Sequence, residues 1–414
     1  MKRISKIFLF GVLAMIMGGL AGAFIWLILK MMDLGIDVVW QNIPQALGCV
    51  KAVGGIDFWY LLVVCLLGGL ILGCWQRKYG VFPESLETVM GKVKKTGRYP
   101  YDRLHILTIS ALLPLIFGGV IGPEAGLTGV IAGLCCLIGD RLKYKGDKLV
   151  ALSEAGLATS LGIIFGAPFF GIASNLEPDN QTEEYRKKLV SKKSRIFIYC
   201  MGVAGGMLVM RLLGALFGGG MGLPRFARHH EVGFDQWKWW PLLVAVGVLA
   251  ALFCMLINKT TKKLAEKIAS HRILSCMIVG AVLAVVAYQL PMSMFSGEHQ
   301  MYTLMAHWQE ISVVLLLLTA IAKLLLVHVC INFGWRGGSI FPIIYSGVAL
   351  GYAFATMTGM DGAFAVAIVV AALYGYLSRK PVTVLAVLLL CFPVTYLPVI
   401  LVTALASSKI PALK

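Results

Sequence analysis

The sequence predicts an all-α, multi-pass membrane protein whose two related halves form an antiparallel inverted repeat, each half carrying one broken helix. Three observations predict it. Charged residues make up 14% of the chain, about half the share of a soluble globular domain. Apolar runs recur from end to end, at 7–32, 59–75, 106–120, 196–217, 240–257, 311–329 and 363–377, each near or above the roughly 17–25 residues of a spanning helix. Finally, each half holds one short hydrophobic segment interrupted by glycines, 118–134 and 332–351, the pattern that marks the binding region of inverted-repeat transporters.

The opening "MKRISKIFLF" is followed by an apolar run too long for a secretory signal and closed by no small-residue cleavage site, so it reads as the first membrane helix with a cytoplasmic amino end. The net charge of +17 comes largely from short basic loops at 77–78, 92–103, 141–148, 186–195, 259–272 and 379–380. Basic short loops mark the cytoplasmic side, so the excess reports topology, both termini are expected in the cytoplasm, and nucleic acid is not an expected partner. Seven cysteines (Cys65, Cys74, Cys135, Cys136, Cys200, Cys254 and Cys391) fall inside apolar segments, with no CxxC pair or Cys/His metal spacing. They predict no disulfide framework, metal site or cofactor. A charged stretch at 177–195 reads as a loop or surface helix. The Gly-, His- and Trp-rich stretch at 221–239 divides a first repeat, 1–220, from a second, 240–414, and its tryptophans suit a membrane interface.

The segment "GGVIGPEAGLTGVIAGL" places the carboxylate Glu124 among glycines and aliphatic residues, and "NFGWRGGSIFPIIYSGVALG" is its counterpart. The glycine pairs 129/133 and 347/351 have the four-residue spacing of close helix packing, which accounts for neither Glu124 nor Pro342. A helix that starts inside the membrane presents backbone N–H groups and about half a positive charge, enough to attract an anion. Converging ends of this kind make an anion site without lysine or arginine, and a full positive charge would hold the ion too tightly to release it. At such an end Glu124 acts as a tethered anion that leaves when protonated or displaced, or else as a structural cap.

A third break, "RKYGVFPESLETVMGKV", suggests a helix begun by Gly80 and Pro83, with Glu84 as a dipole-complementing acid in its first turn. Lys323 is expected to be paired or to snorkel, and His328 to be a satisfied core residue. Arg336 either concentrates anions at a pore mouth or anchors at the interface. Glu298 is expected in a loop or at a helix start.

At these residues the sequence resembles the CLC family of chloride channels and chloride/proton antiporters. Gly122-Pro123-Glu124-Ala125-Gly126 resembles the family's Gly-Lys/Arg-Glu-Gly-Pro motif. Residues 136–172 are similar to the run into its Ala-Pro-x-x-Gly-Ile helix. Gly338-Ser339-Ile340-Phe341-Pro342 is similar to Gly-x-Phe-x-Pro, and 378–389 resembles the penultimate helix. The resemblance covers about 80–400 with no motif intact, so it implies a divergent member. It implies that Glu124 is the gate, that the amides of Ser339 and Ile340 contact the central anion, and that Gly122, Pro123, Ala125, Gly338 and Phe341 surround it, with Gly122, Gly337 and Gly338 allowing close backbone approach. It also implies a homodimer in lipid with one pore per subunit.

The departures carry expectations too. Gly80 stands at the family's pore serine, so that hydroxyl is missing. Pro123 replaces a basic residue and has no N–H, which weakens the outer anion site. The pore tyrosine falls at Pro393 or Thr395 by spacing, with Tyr396 next. The inner proton-relay glutamate falls at Pro178 beside Glu177, so either Glu177 relays protons or coupling is absent. With hydroxyl ligands lost, fluoride or nitrate joins chloride as a candidate cargo. The chain is expected to lack a cytosolic regulatory tail, since it ends at Lys414 soon after its last apolar run. A transporter of another solute is the rival reading. An enzyme would want clustered His, Asp and Glu or a nucleophile motif at the membrane face, and none is seen.

Overall fold

A computed structural model describes residues 2–50, 55–143, 147–176, 192–220, 222–227 and 234–411, with side chains left aside at 2–7, 147–149, 175–176, 192 and 234–235. Glu177, most of the 177–195 stretch, and residues 221 and 228–233 of the inter-repeat stretch lie outside the described residues. The described chain is helical: α1 Lys2–Asp37, α2 Phe58–Tyr79, α3 Leu86–Thr96, α4 Leu104–Ile116, α5 Glu124–Arg141, α6 Asp147–Ile164, α7 Pro168–Leu176, α8 Lys192–Phe217, α9 Trp240–Lys267, α10 Arg272–Gln289, α11 Glu298–His307, α12 Val313–Phe333, α13 Ile340–Thr358, α14 Gly362–Ser378, α15 Pro381–Leu388 and α16 Leu397–Lys409. Among the described residues, seven helical stretches are long and apolar enough to cross a membrane: 8–46, 58–79, 193–217, 240–267, 272–289, 313–333 and 340–358.

The chain forms two compact units that interleave in sequence. The first comprises 1–33, 82–112 and 123–222. Within it α6 packs against α5, α7 and α8, around a core that includes Val89, Val93, Val130 and Leu157. Helices α1 and α8 meet through glycines: a β-carbon on Gly18 would stand 2.7 Å from the carbonyl carbon of Gly202. Such backbone contact is how helices associate where lipid removes the hydrophobic drive.

The second unit comprises 34–81, 113–122 and 223–414. Helix α10 lies along α2 at a similar glycine seam, where a β-carbon on Gly69 would sit 2.8 Å from Met277 Cα and one on Gly280 2.7 Å from the Cys65 carbonyl carbon. Helix α14 is buried from Gly362 to Tyr376 against α9, α13 and α16, as a helix apolar on every side must be. Asp361 caps it, accepting the Phe364 N–H at 2.8 Å, which satisfies one of the donors a helix start leaves over.

Two local expectations are corrected. The run 106–120 is not one spanning helix. Helix α4 stops at Ile116, and the chain turns at Gly118, whose φ of +86° suits glycine. Glu84 is not in the first turn of a helix begun by Pro83. Ser85 is the N-cap, accepting from the Thr88 N–H, so the helix starts at Leu86, and Glu87 takes the acidic first-turn place. Glu84 instead pairs with Lys92 at 2.5 Å and accepts from the Tyr99 hydroxyl at 3.4 Å.

Candidate functional site

The site is built where the two interrupted segments break. In the first, Gly119 brings the chain back over α4: its N–H donates to the Pro114 carbonyl at 2.8 Å, and a β-carbon there would lie 3.0 Å from the Trp335 ring. Gly122 follows, then Pro123 as N-cap, and α5 opens at Glu124. Pro123 lacks an N–H that the helix start would not use. The N–H of Leu127 bonds the Pro123 carbonyl at 2.9 Å, the first rung of the helix. Glu124 is completely buried, and so is every residue from there to Gly133.

In the second segment α12 ends at Gly334, whose φ of +116° turns the chain at the helix end. Residues 335–339 cross to Ser339, the N-cap of α13, which makes no side-chain capping bond. The N–H of Ile343 bonds the Ser339 carbonyl at 3.1 Å, so the N–H groups of Ile340 and Phe341 belong to the opening turn and point back along the axis. Pro342, third in the helix, removes a donor where none is needed for the ladder.

Gly122 and Gly338 exchange both backbone hydrogen bonds, at 2.8 and 2.7 Å, as an isolated antiparallel bridge. Beside it, a β-carbon on Gly337 would come within 2.8 Å of Ile121 Cβ. The two segments are therefore joined backbone to backbone immediately ahead of their helix openings.

The remaining residues expected at the site are placed as follows. Gly80 ends α2 with φ +97°, its N–H donating to the Gln76 carbonyl at 2.9 Å; it carries no hydroxyl. Tyr396 is buried, and its hydroxyl donates to Asp361 Oδ1 at 2.9 Å, beneath the cap of α14. A hydrogen given to a carboxylate is not at the same moment offered to an anion. Ala125 and Phe341 are buried, while Ser339 and Ile340 are partly exposed.

Lys323 does not snorkel. It is fully buried and donates to the carbonyls of Met292, Ser293 and Met294 at 3.3, 3.4 and 2.9 Å, with its ammonium 4.2 Å above the Tyr345 ring. Carbonyl dipoles and a ring face replace the water it has lost. His328 is a satisfied core histidine, with Nε2 2.9 Å from Cys254 Sγ. Glu298 is the first residue of α11, after Gly297 in the left-handed region.

Sequence reasoning passed over Glu154. This carboxylate is 2% exposed in α6, accepts from the buried Tyr199 hydroxyl and lies 3.5 Å from Arg195, which also donates to Tyr199 at 3.3 Å. The triad ties α6 to α8. Its signal was available in "ALSEAGLATS": a charge inside an apolar run, the same cue that marks Glu124.

The model of the family described as "Voltage gated chloride channel" matches residues 67–411. Among curated proteins, the chain is similar to the "Putative ion-transport protein YfeO" of Escherichia fergusonii, 26% identical over 340 residues that cover 80% of this chain and 76% of the relative. The protein of the same name from Shigella flexneri matches at the same identity and coverage. Among solved structures, it is similar in fold to a slow cyanobacterial Cl-/H+ antiporter, with a TM-score of 0.76, 15% identity and coverage of 96% of this chain and 92% of that one. It is also similar to a CLC-type fluoride/proton antiporter, with a TM-score of 0.74, 15% identity and coverage of 97% and 95%. The chain belongs to the voltage gated chloride channel family, and its function is anion transport across a membrane, as a channel or an anion/proton antiporter.

Proposed function

We propose that the transported anion rests on backbone N–H groups at the openings of α5 and α13, and that Glu124 is the gate, holding the anion's place when ionised and giving it up when protonated or displaced. The observation that carries this reading is the Gly122–Gly338 bridge, which brings together the two breaks from which the helices start. Helix amino ends supply partial positive charge to an anion without the tight hold of a fixed cation. The side chains agree with a site of amides: Gly80 has no hydroxyl, and that of Tyr396 is turned to Asp361. With neither of those two hydroxyls offered, chloride, fluoride and nitrate are all candidate cargoes. Buried deep in apolar surroundings, a carboxylate is a functional group by default, and its protonation is the step through which a proton gradient can act on anion movement. The reading further assigns residues 1–220 and 240–414 to two inverted repeats, places both termini in the cytoplasm beside the basic loops, and gives each subunit of a homodimer its own pore.

The test is efflux from proteoliposomes loaded in turn with chloride, fluoride or nitrate, with valinomycin to clamp the potential and with a proton gradient imposed or absent. The expected result is protein-dependent efflux of at least one of the three, changed by the proton gradient. No efflux of any of them, with uptake of another solute instead, would overturn the reading.

A further inference from the structure

Two arginines share a small cavity in the second unit. The cavity, of about 30 Å³, is bordered by Gln76 of α2, Arg272 and Ser275 of α10, Asn332 of α12 and Arg336 of the segment before α13. It can hold one or two water-sized particles. Arg272 and Arg336 thus bring two like charges to one small space. Among the described residues neither forms an ion pair with a carboxylate.

The neutral groups around the cavity have their donors engaged elsewhere. Ser275 Oγ donates to the Phe333 carbonyl at 2.8 Å, and Asn332 Nδ2 to Thr261 and Asn258 at 2.8 and 3.0 Å. Gln76 Nε2 donates to the Gly334 carbonyl. Arg336 Nε, by contrast, is buried with no hydrogen-bond partner, a costly state for a charged donor. Arg272 adds to the imbalance, because it is the first residue of α10, at the positive end of the helix dipole, where a cation is disfavoured. Two like charges, a helix amino end and an unsatisfied donor meet at one small space that lacks a countercharge.

We propose that this cavity is a second anion site, in which Arg336 and Arg272 hold one monatomic halide on the face marked cytoplasmic by the basic 259–272 stretch. The proposal deepens the transport reading and rests on it only for the class of anion. A bound halide offsets the two like charges, satisfies Arg336 Nε and complements the start of α10. The space takes one or two water-sized particles, and a monatomic halide is of that size.

The test is the melting temperature of the purified full-length chain as chloride replaces gluconate at constant ionic strength. A ligand that binds the folded state raises it. The wild type is expected to show a chloride-dependent rise, and Arg336→Gln to need about tenfold more chloride for half the effect, the weight of one charge-assisted hydrogen bond. Arg272→Gln, at an exposed position, is expected to shift the curve in the same direction and guards against a folding defect in the first variant. Phosphate in place of chloride is expected to leave the melting temperature at its gluconate value. Wild-type chloride dependence in both variants, or a phosphate effect equal to that of chloride, would overturn the site. Failure of the transport reading looks different: no anion efflux, with the chloride dependence of melting intact.

Discussion

Glu124→Ala is expected to abolish the response of anion flux to a proton gradient while leaving passive flux intact or raised. The alanine variant lacks the tethered anion that competes for the helix ends, and it has no group there to carry a proton. Glu124→Gln mimics the protonated state and is expected to behave the same way. The measurement is proteoliposome efflux between pH 4.5 and 7.5, with the wild-type pH dependence flattening in both variants and any uphill, proton-driven movement falling to background. The structural alternative predicts a different pattern. If the carboxylate only capped α5, its loss would cost about 0.5–2 kcal/mol of stability, lower the melting temperature, and leave pH dependence and coupling unchanged.

The second large effect concerns the seam between α2 and α10. Gly280→Val is expected to prevent recovery of folded protein, because a β-carbon at that position meets backbone, 2.7 Å from the Cys65 carbonyl carbon and closer still to its oxygen. A side chain could rotate away; a helix backbone cannot. Overpacking a core commonly costs about 1–3 kcal/mol, and separating two helices along their contact should exceed that. The readouts are the monodisperse yield from detergent and the melting temperature. Gly91→Ala in α3 is the control: nothing lies within 4 Å of its added carbon, and alanine is better than glycine in a helix by roughly 1 kcal/mol. That variant is expected to match or exceed wild-type stability. Equal yields from the two variants would contradict the packing described for α2 and α10.

These two positions show how much the sequence discloses. The fold class was legible because apolar runs and basic loops repeat along the chain, and the likeness at residues 122–126 and 338–342 pointed to the family. Glu124 was legible because a charge in an apolar segment is costly and therefore noticed. The Gly122–Gly338 bridge was not, since hydrogen bonds between residues so distant in sequence leave no local pattern. The same blindness explains Tyr396, whose partner Asp361 sits on another helix start, and Lys323, where three carbonyls from Met292–Met294 make burial tolerable and snorkelling unnecessary. Glu84 was misplaced by a different cause. Pro83 and Ser85 both announce a helix start, and the hydroxyl cap prevailed because it satisfies an N–H that proline cannot. Glu154 carried the same cue as Glu124, and the same Ala-Gly-Leu after it, but no Gly-Pro pair precedes it to draw notice.

The most direct test of the mechanism is to locate the anion itself, by anomalous diffraction from crystals of the chain grown with bromide in place of chloride. The mechanism predicts a bromide peak within hydrogen-bonding distance of the opening amides of α13, at Ser339 and Ile340, and a stronger peak in Glu124→Gln crystals, where the competing carboxylate is gone. Bromide held only by lysine or arginine side chains, with none at the helix openings in either protein, would contradict it.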